Sequence, residues 1–203
     1  MSIEKKDHFA QKADNYEKEQ RRVDNVSNIA NLILKEITYN KDMHILDFGS
    51  GTGLLLERIA PYVKKVTAVD MSPSMNKNLA KKKDKLECEL EILELDLSKK
   101  EIDSKLDGII SSMTIHHVKD IEKLFTKFYN MLNSGGTIAL ADLDTEDGSF
   151  HTVDTGVFHF GFDRDEFLNT AKKVGFKELK IQSVGNVIKP YGEYGVFLLT
   201  GKK

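Results

Sequence analysis

Apolar and polar positions along this chain fall into two alternating rhythms. Short apolar runs recur at Met43–Phe48, Val66–Asp70, Leu90–Leu97, Leu106–Val118 and Leu132–Asp142, and several of them end on an acid or run into glycine. Between and around them lie helix-like segments: Arg21–Thr38, Leu54–Val63, Pro73–Lys83, Ile121–Leu132 and Arg164–Val174. Such alternation predicts a mostly parallel sheet with helices on both faces. The tail breaks the rhythm. Phe176–Lys189 and Tyr194–Thr200 are two β-rich runs separated only by Pro190-Tyr-Gly-Glu, which predicts an antiparallel hairpin.

Composition narrows this to one domain. With 203 residues, 40 % of them hydrophobic, the chain can bury a full core in a single α/β layer structure. No linker or internal repeat divides it, and the longest polar run, Lys77–Lys85, reads as a solvated helix end plus a loop. No apolar stretch approaches the roughly 18 residues of a membrane span, and Met1–Asn15 has no secretory apolar segment. The single cysteine, Cys88, points to a reducing compartment, so a cytoplasmic protein is expected. A net charge of −2 gives no global attraction to a polyanion.

The stretch Met43-His-Ile-Leu-Asp-Phe-Gly-Ser-Gly-Thr-Gly-Leu54 carries the most chemistry. It reads as a strand, a tight loop and the start of a helix. Glycines at 49, 51 and 53 allow positive φ and close approach of a ligand. The helix start behind them offers free N–H groups and a partial positive charge, a device for nucleotide-like ligands. A dinucleotide fingerprint would place its third glycine at Leu54; here it falls at Gly53, and Asp47 stands two places before the first glycine. The run Leu46-Asp47-x-Gly49-x-Gly51-x-Gly53 resembles motif I of the class I S-adenosylmethionine-dependent methyltransferases, in their small single-domain, type 11-like form.

Later segments extend the resemblance. Val66-Thr-Ala-Val-Asp70 ends in a carboxylate roughly 20 residues past the first glycine. Met71-Ser-Pro-Ser-Met75 opens a helix, with Ser72 as N-cap and Pro73 at its first position. Leu90–Leu97 carries Asp96; Leu106–Val118 is similar to the family's fourth strand and substrate-facing segment; Leu132-Asn-Ser-Gly-Gly-Thr matches its turn into strand five. The resemblance implies a Rossmann-like, doubly wound, seven-stranded sheet of order 3-2-1-4-5-7-6, mostly parallel with a C-terminal antiparallel hairpin. It divides the chain into a helical lid segment (1–38), a cofactor-binding core (43–144), a substrate loop (145–162) and a helix with the terminal hairpin (163–203).

The resemblance also implies roles. Asp70, with Met71 beside it, would hold the ribose of S-adenosyl-L-methionine. The backbone of Gly49, Gly51 and Gly53 would pass the methionyl part, with Asp47 ordering the loop. Asp96 would face the adenine between Leu95 and Leu97, and Ser111 would contribute backbone contacts near the methionyl amine. Blander readings stand beside these: Asp70 as a strand-end cap, Asp96 as a solvated partner of Glu94, Ser111 as sheet filling. Asp7-His-Phe-Ala-x-x-Ala-x-x-Tyr16 is similar to a lid helix whose tyrosine closes over the cofactor; Phe9, Ala13 and Tyr16 share one helical face, which core packing would use equally.

Histidines supply the candidate chemistry of the acceptor end. His116 and His117 follow the fourth strand, and His151 and His159 lie in the long segment Asp144–Gly161, where Phe150, Val153, Val157, Phe158 and Phe160, with Phe162 just after, could wall a pocket. A neutral imidazole suits proton abstraction near pH 7, which makes His116, His151 and His159 candidate bases. In the family the second ring of such a His-His pair is often bonded inside the fold. No H-x-x-x-H or cysteine spacing supports a metal, and none is expected. The leading expectation is methyl transfer to a small molecule, yielding S-adenosyl-L-homocysteine, without membrane or nucleic-acid partners. Methylation of tRNA or protein, and cofactor binding without turnover, are the alternatives; a nicotinamide oxidoreductase is opposed by Leu54 and the tail hairpin.

Overall fold

The computed structural model describes residues 7, 10, 13–97, 99–100, 102–151, 153 and 155–203. Its centre is a seven-stranded sheet of order β3-β2-β1-β4-β5-β7-β6. The strands are β1 (His44–Phe48), β2 (Lys65–Asp70), β3 (Glu89–Glu94), β4 (Leu106–Ser112), β5 (Leu132–Leu143), β6 (Lys177–Lys189) and β7 (Gly192–Lys202). The first five run parallel; β7 lies antiparallel to both β5 and β6. The strand order reverses between β1 and β4, and the crevice outside the carboxyl ends at such a switch point is where open α/β sheets bind ligands.

Alternating side chains feed two cores, one on each face of the sheet. Along β1, Ile45 joins the core built with α1 (Gln20–Glu36) and α2 (Leu54–Ile59), whereas Leu46 joins the opposite core. Leu198 and Leu199 divide in the same way on β7, as the period of two requires. Helix α3 (Pro73–Ala80) starts as its sequence requires: Ser72 Oγ accepts from Met75 N at 3.2 Å and Pro73 occupies the first turn. The second core belongs to α4 (Ile121–Met131) and α5 (Arg164–Val174). There Phe125 meets Phe167 edge-on at 5.1 Å between centroids, and Phe167 meets Phe197 at the same distance. Burying each such ring contributes about 2–3 kcal/mol.

Several boundaries depart from the sequence reading, among them the ends of α1 at Glu36 and α3 at Ala80, and three have a clear physical cause. Strand β3 stops at Glu94 rather than Leu97, because its neighbour β2 ends at Asp70 and the last pair is Asp70 with Glu94. Asp96 and Leu97 therefore lie in the loop beyond the sheet. Helix α2 ends at Ile59 and tightens into a 3-10 turn over Ala60–Tyr62, since Pro61 cannot donate to an α-helical ladder. The hairpin turn shrinks to Pro190-Tyr191, as Lys189 already pairs with Gly192. The lysine run is solvated as its composition suggests, with Lys77, Lys81, Lys83 and Lys85 exposed, while the half-buried Lys82 bridges Glu17 and Glu57 and ties the N-terminal segment to α2. Among the described residues, no helix is long and apolar enough to cross a membrane.

Candidate functional site

At the switch point the chain leaves β1 through the glycine loop, whose Gly49 and Ser50 amides both donate to the Val69 carbonyl at the tip of β2. All three glycines adopt positive φ, at 70°, 53° and 88°. Space separates their tasks. A Cβ on Gly49 would stand 2.2 Å from the Thr114 side chain, and one on Gly53 would stand 2.5 Å from Leu79. Those two glycines serve internal packing. A Cβ on Gly51 would meet nothing within 4 Å, so of the three this residue keeps a cradle open for a ligand.

Acids ring that cradle. Asp70 Oδ2 accepts from Gly51 N and Oδ1 from Ser72 N, each at 2.8 Å. Burial raises the Asp70 carboxyl above its usual range, and the two amides oppose that shift. Asp47 is 1 % exposed, and its Oδ2 has no partner among the described residues. Burial, reinforced by the Asp70 charge, pushes its pKa up to about 8. Ser50 Oγ and Thr52 Oγ1 are likewise buried and unpartnered among the described residues. The open space before Gly51 and the Asp70 carboxyl beside it, both in the cavity lining, fit a polar ligand bearing hydrogen-bond donors, such as S-adenosylmethionine.

The cradle opens into a cavity of about 1080 Å³. Tyr16, Gly49, Gly51, Asp70, Met71, Leu95, Asp96 and Leu97 line one end. Tyr16 stacks under the Arg22 guanidinium, 4.0 Å from the ring centroid, and desolvation raises its phenol pKa. Three expected cofactor residues stand behind the wall. Gly53 packs on Leu79; Asp47 lies beneath the loop; and Ser111, fully buried, donates to the Phe48 carbonyl at 2.8 Å, joining the tips of β1 and β4. Its neighbour Ser112 reaches the lining instead. Of the N-terminal motif, Ala13 and Tyr16 fall in a 3-10 turn, Ala13–Lys18, while Phe9 lies outside the described residues.

The opposite end is built by the turn after β4 and by the loop after β5. Met113, at φ 56°, bends the chain off β4 so that Thr114 fills the space before Gly49 and His116 drops beneath the turn. Here the first ring of the His-His pair is the buried one, not the second. His116 is 1 % exposed and pairs through Nδ1 with Asp142 Oδ1 at 2.6 Å, because Asp142, one residue before the end of β5, also accepts from the His116 amide. Burial pushes the Asp142 carboxyl up, but the His116 ring and the surrounding amides more than offset this and hold it low. An ionised Asp142 must accept from Nδ1–H, which leaves the Nε2 lone pair of a neutral His116 available. That Nε2 is buried with no partner among the described residues.

The described residues between 145 and 161 follow an omega-like path whose ends meet in a bridge between Asp144 and Phe162. The amides of Phe158 and His159 both donate to the His116 carbonyl, at 2.9 and 3.2 Å. Arg164 clamps Asp144 bidentately at 2.6 and 2.7 Å, and Ser149 Oγ meets Tyr194 Oη at 2.6 Å. This folding carries His151 against the pair: its ring centroid lies 5.1 Å from His116 and 5.8 Å from His117. Phe150, Val153 and Phe158 complete the wall. His159 is not among the lining residues; its Nε2 faces the Val118 carbonyl at 3.0 Å. Sequence reading passed over Asp142, Thr114 and Thr155. Only Asp142 left a signal, an acid closing a buried strand as Asp70 does.

Comparison with known proteins agrees with this geometry. Residues 46–140 match a family described as "Methyltransferase domain". The chain is 29 % identical over 175 residues to an uncharacterised methyltransferase of Schizosaccharomyces pombe, covering 78 % of this chain and 60 % of that one; it thus spans less than two thirds of that relative's length. In fold it is similar to DhpI in its complex with SAH, at TM-score 0.75 and 18 % identity over 96 % of this chain and 93 % of the other. It is also similar to phosphoethanolamine N-methyltransferase 2 of Haemonchus contortus, solved with phosphomonomethylethanolamine and S-adenosylhomocysteine (TM-score 0.69, 17 % identity, 87 % of this chain and 52 % of the other). Motif, sheet order, cavity and these likenesses converge: the chain is similar to the class I S-adenosylmethionine-dependent methyltransferases, and residues 46–140 carry the match to their methyltransferase domain.

Proposed function

We propose that this protein transfers a methyl group from S-adenosylmethionine to a small molecule held at the histidine end of its cavity. One observation carries the reading: a single cavity joins the glycine cradle and its acids to an apolar, histidine-lined chamber. Its volume, just above the roughly 300–1,000 Å³ of small-molecule sites, suits a nucleoside-sized ligand with a compact acceptor beside it. A polymer would need an open groove and a basic face, which a net charge of −2 does not favour.

The cofactor supplies a methyl group on a sulfonium, which needs only an aligned nucleophile for in-line displacement. The chain's own residues do the rest. Asp70 would accept from the ribose hydroxyls while its backbone contacts fix the loop, with Met71 beside the sugar. Asp96 would take the adenine amine, with Leu95 and Leu97 against the ring, and Tyr16 would close over the top. Asp47 and Ser111 support the cradle from behind. His116 and His151 would face the acceptor and set its orientation, and Phe150 and Phe158 would exclude water. His159 would instead brace the loop. The lone, half-buried Cys88 suits a reducing, cytoplasmic setting.

The test is labelled-methyl transfer into size-fractionated cell extract, alongside calorimetry with S-adenosylhomocysteine. Label in the small-molecule fraction is expected. Label confined to RNA or protein, or tight binding with no transfer to any fraction, would replace this reading with the corresponding alternative.

A further inference from the structure

We propose that His116, His117 and His151 form a binding site for one divalent transition-metal ion of zinc-like character at the acceptor end of the cavity. Six histidines are spread along the chain, yet these three converge, each offering a ligand nitrogen within 4.8 Å of the others. Their ring centroids are 4.4, 5.1 and 5.8 Å apart. Three imidazoles bound tetrahedrally at about 2.0–2.1 Å would place their centroids roughly 5.2 Å apart. The observed triangle scatters around that figure. Ligand nitrogens in such a set stand about 3.4 Å apart, so loading draws them inward by about an ångström. His116 is fixed, while the half-buried His117 and the loop-borne His151 can move.

The supporting contacts point the same way. Metal-bound histidines engage their second nitrogen with a carboxylate or another polar group, which sets tautomer and ring orientation. Asp142 does this for Nδ1 of His116 at 2.6 Å, and Thr155 Oγ1 meets Nδ1 of His151 at 3.1 Å. Both rings are thereby arranged to coordinate through Nε2. The buried Nε2 of His116 gains a partner it lacks among the described residues. A set of three imidazoles suits zinc, cobalt or nickel rather than magnesium or calcium. The fourth position faces the cavity, where an oxygen, nitrogen or sulfur of the acceptor would bind. The inference deepens the proposed function by giving the acceptor an anchor, and the ion site stands independently of the cofactor.

The test starts from full-length protein stripped with chelator, then dialysed against micromolar zinc, with cobalt as a spectroscopic probe. One zinc per chain and a visible cobalt d–d band characteristic of low coordination number are expected. His151→Ala and His117→Ala, both outside the rigid core, should each weaken zinc binding at least tenfold, and Asp142→Asn should weaken it by about 10–100-fold. His44→Gln, on the far end of β1, should leave it unchanged. No retained zinc, or equal retention by the His117→Ala/His151→Ala double variant, overturns the site. Calorimetry with S-adenosylhomocysteine on the same samples separates the two claims: a chain that binds this ligand but no zinc loses the ion site alone.

Discussion

The two ends of the cavity are assembled by opposite means. The glycine end comes from one strand–loop–helix passage, Asp47 to Leu54, plus the tip of the adjacent strand. The histidine end gathers His116, Asp142 and His151 from a turn, a strand end and a long loop, held by backbone contacts between distant segments. Local geometry fixes the first; tertiary closure fixes the second. The glycine end should therefore be sensitive to single atoms, whereas the histidine end should be sensitive to whatever holds the loop in place.

Gly49→Ala tests this most severely. It puts a methyl 2.2 Å from Thr114 at φ 70°. We expect a loss of about 3 kcal/mol or more in urea unfolding, in the range of overpacking plus left-handed strain, together with loss of S-adenosylhomocysteine binding by calorimetry. Asp47 gives the next largest effect. Its folded pKa of about 8 lies above its unfolded value, so between those values the folded chain holds a proton that the unfolded chain has released. Stability should therefore fall as pH rises, by up to about 1.4 kcal/mol per unit, and level off above the folded pKa. Urea melts across the weakly acidic to neutral range should show this slope, and Asp47→Asn should flatten it.

Asp70→Ala should cost about 1–3 kcal/mol of S-adenosylhomocysteine affinity through lost charge-assisted hydrogen bonds; unchanged calorimetry would remove Asp70 from the site. Lys82→Ala, which breaks partly exposed ion pairs, should cost under about 1 kcal/mol in thermal unfolding. At the bottom of the scale for binding and stability, His151→Ala should leave S-adenosylhomocysteine affinity within about twofold while methyl transfer falls by roughly tenfold or more, the range of a lost acid–base or positioning group. A matching loss of affinity would mean that the two ends are not separable.

The same contrast explains what the sequence could disclose. The alternation of strands and helices, the Ser72 cap and the cradle were legible because each is written in adjacent residues with a short-range physical cause. The end of β3 was not legible, because it depends on where its neighbour stops pairing. The orientation of the His116–His117 pair depends on a carboxylate 26 residues away, at Asp142. Metal-ligand spacing gave no hint of the histidine triangle, because His151 arrives only through the closure of Asp144 on Phe162 and the anchoring of Phe158 and His159 on the His116 carbonyl. The open glycine, Gly51, and the packed ones, Gly49 and Gly53, look identical in one dimension; only the space before each distinguishes them.

Thr114 touches Gly49 on one side and leads on the other directly into the turn Ile115–His117. The threonine is therefore a shared hinge pin between the two chambers. Under the proposed function, an acceptor large enough to shift the turn would also displace the glycine loop beside the cofactor. Occupancy of the two chambers would then be thermodynamically linked: a molecule in one would change the affinity of the other, and by reciprocity the same factor would apply in reverse. Such coupling would be a property of one side chain's contact rather than of a separate regulatory element.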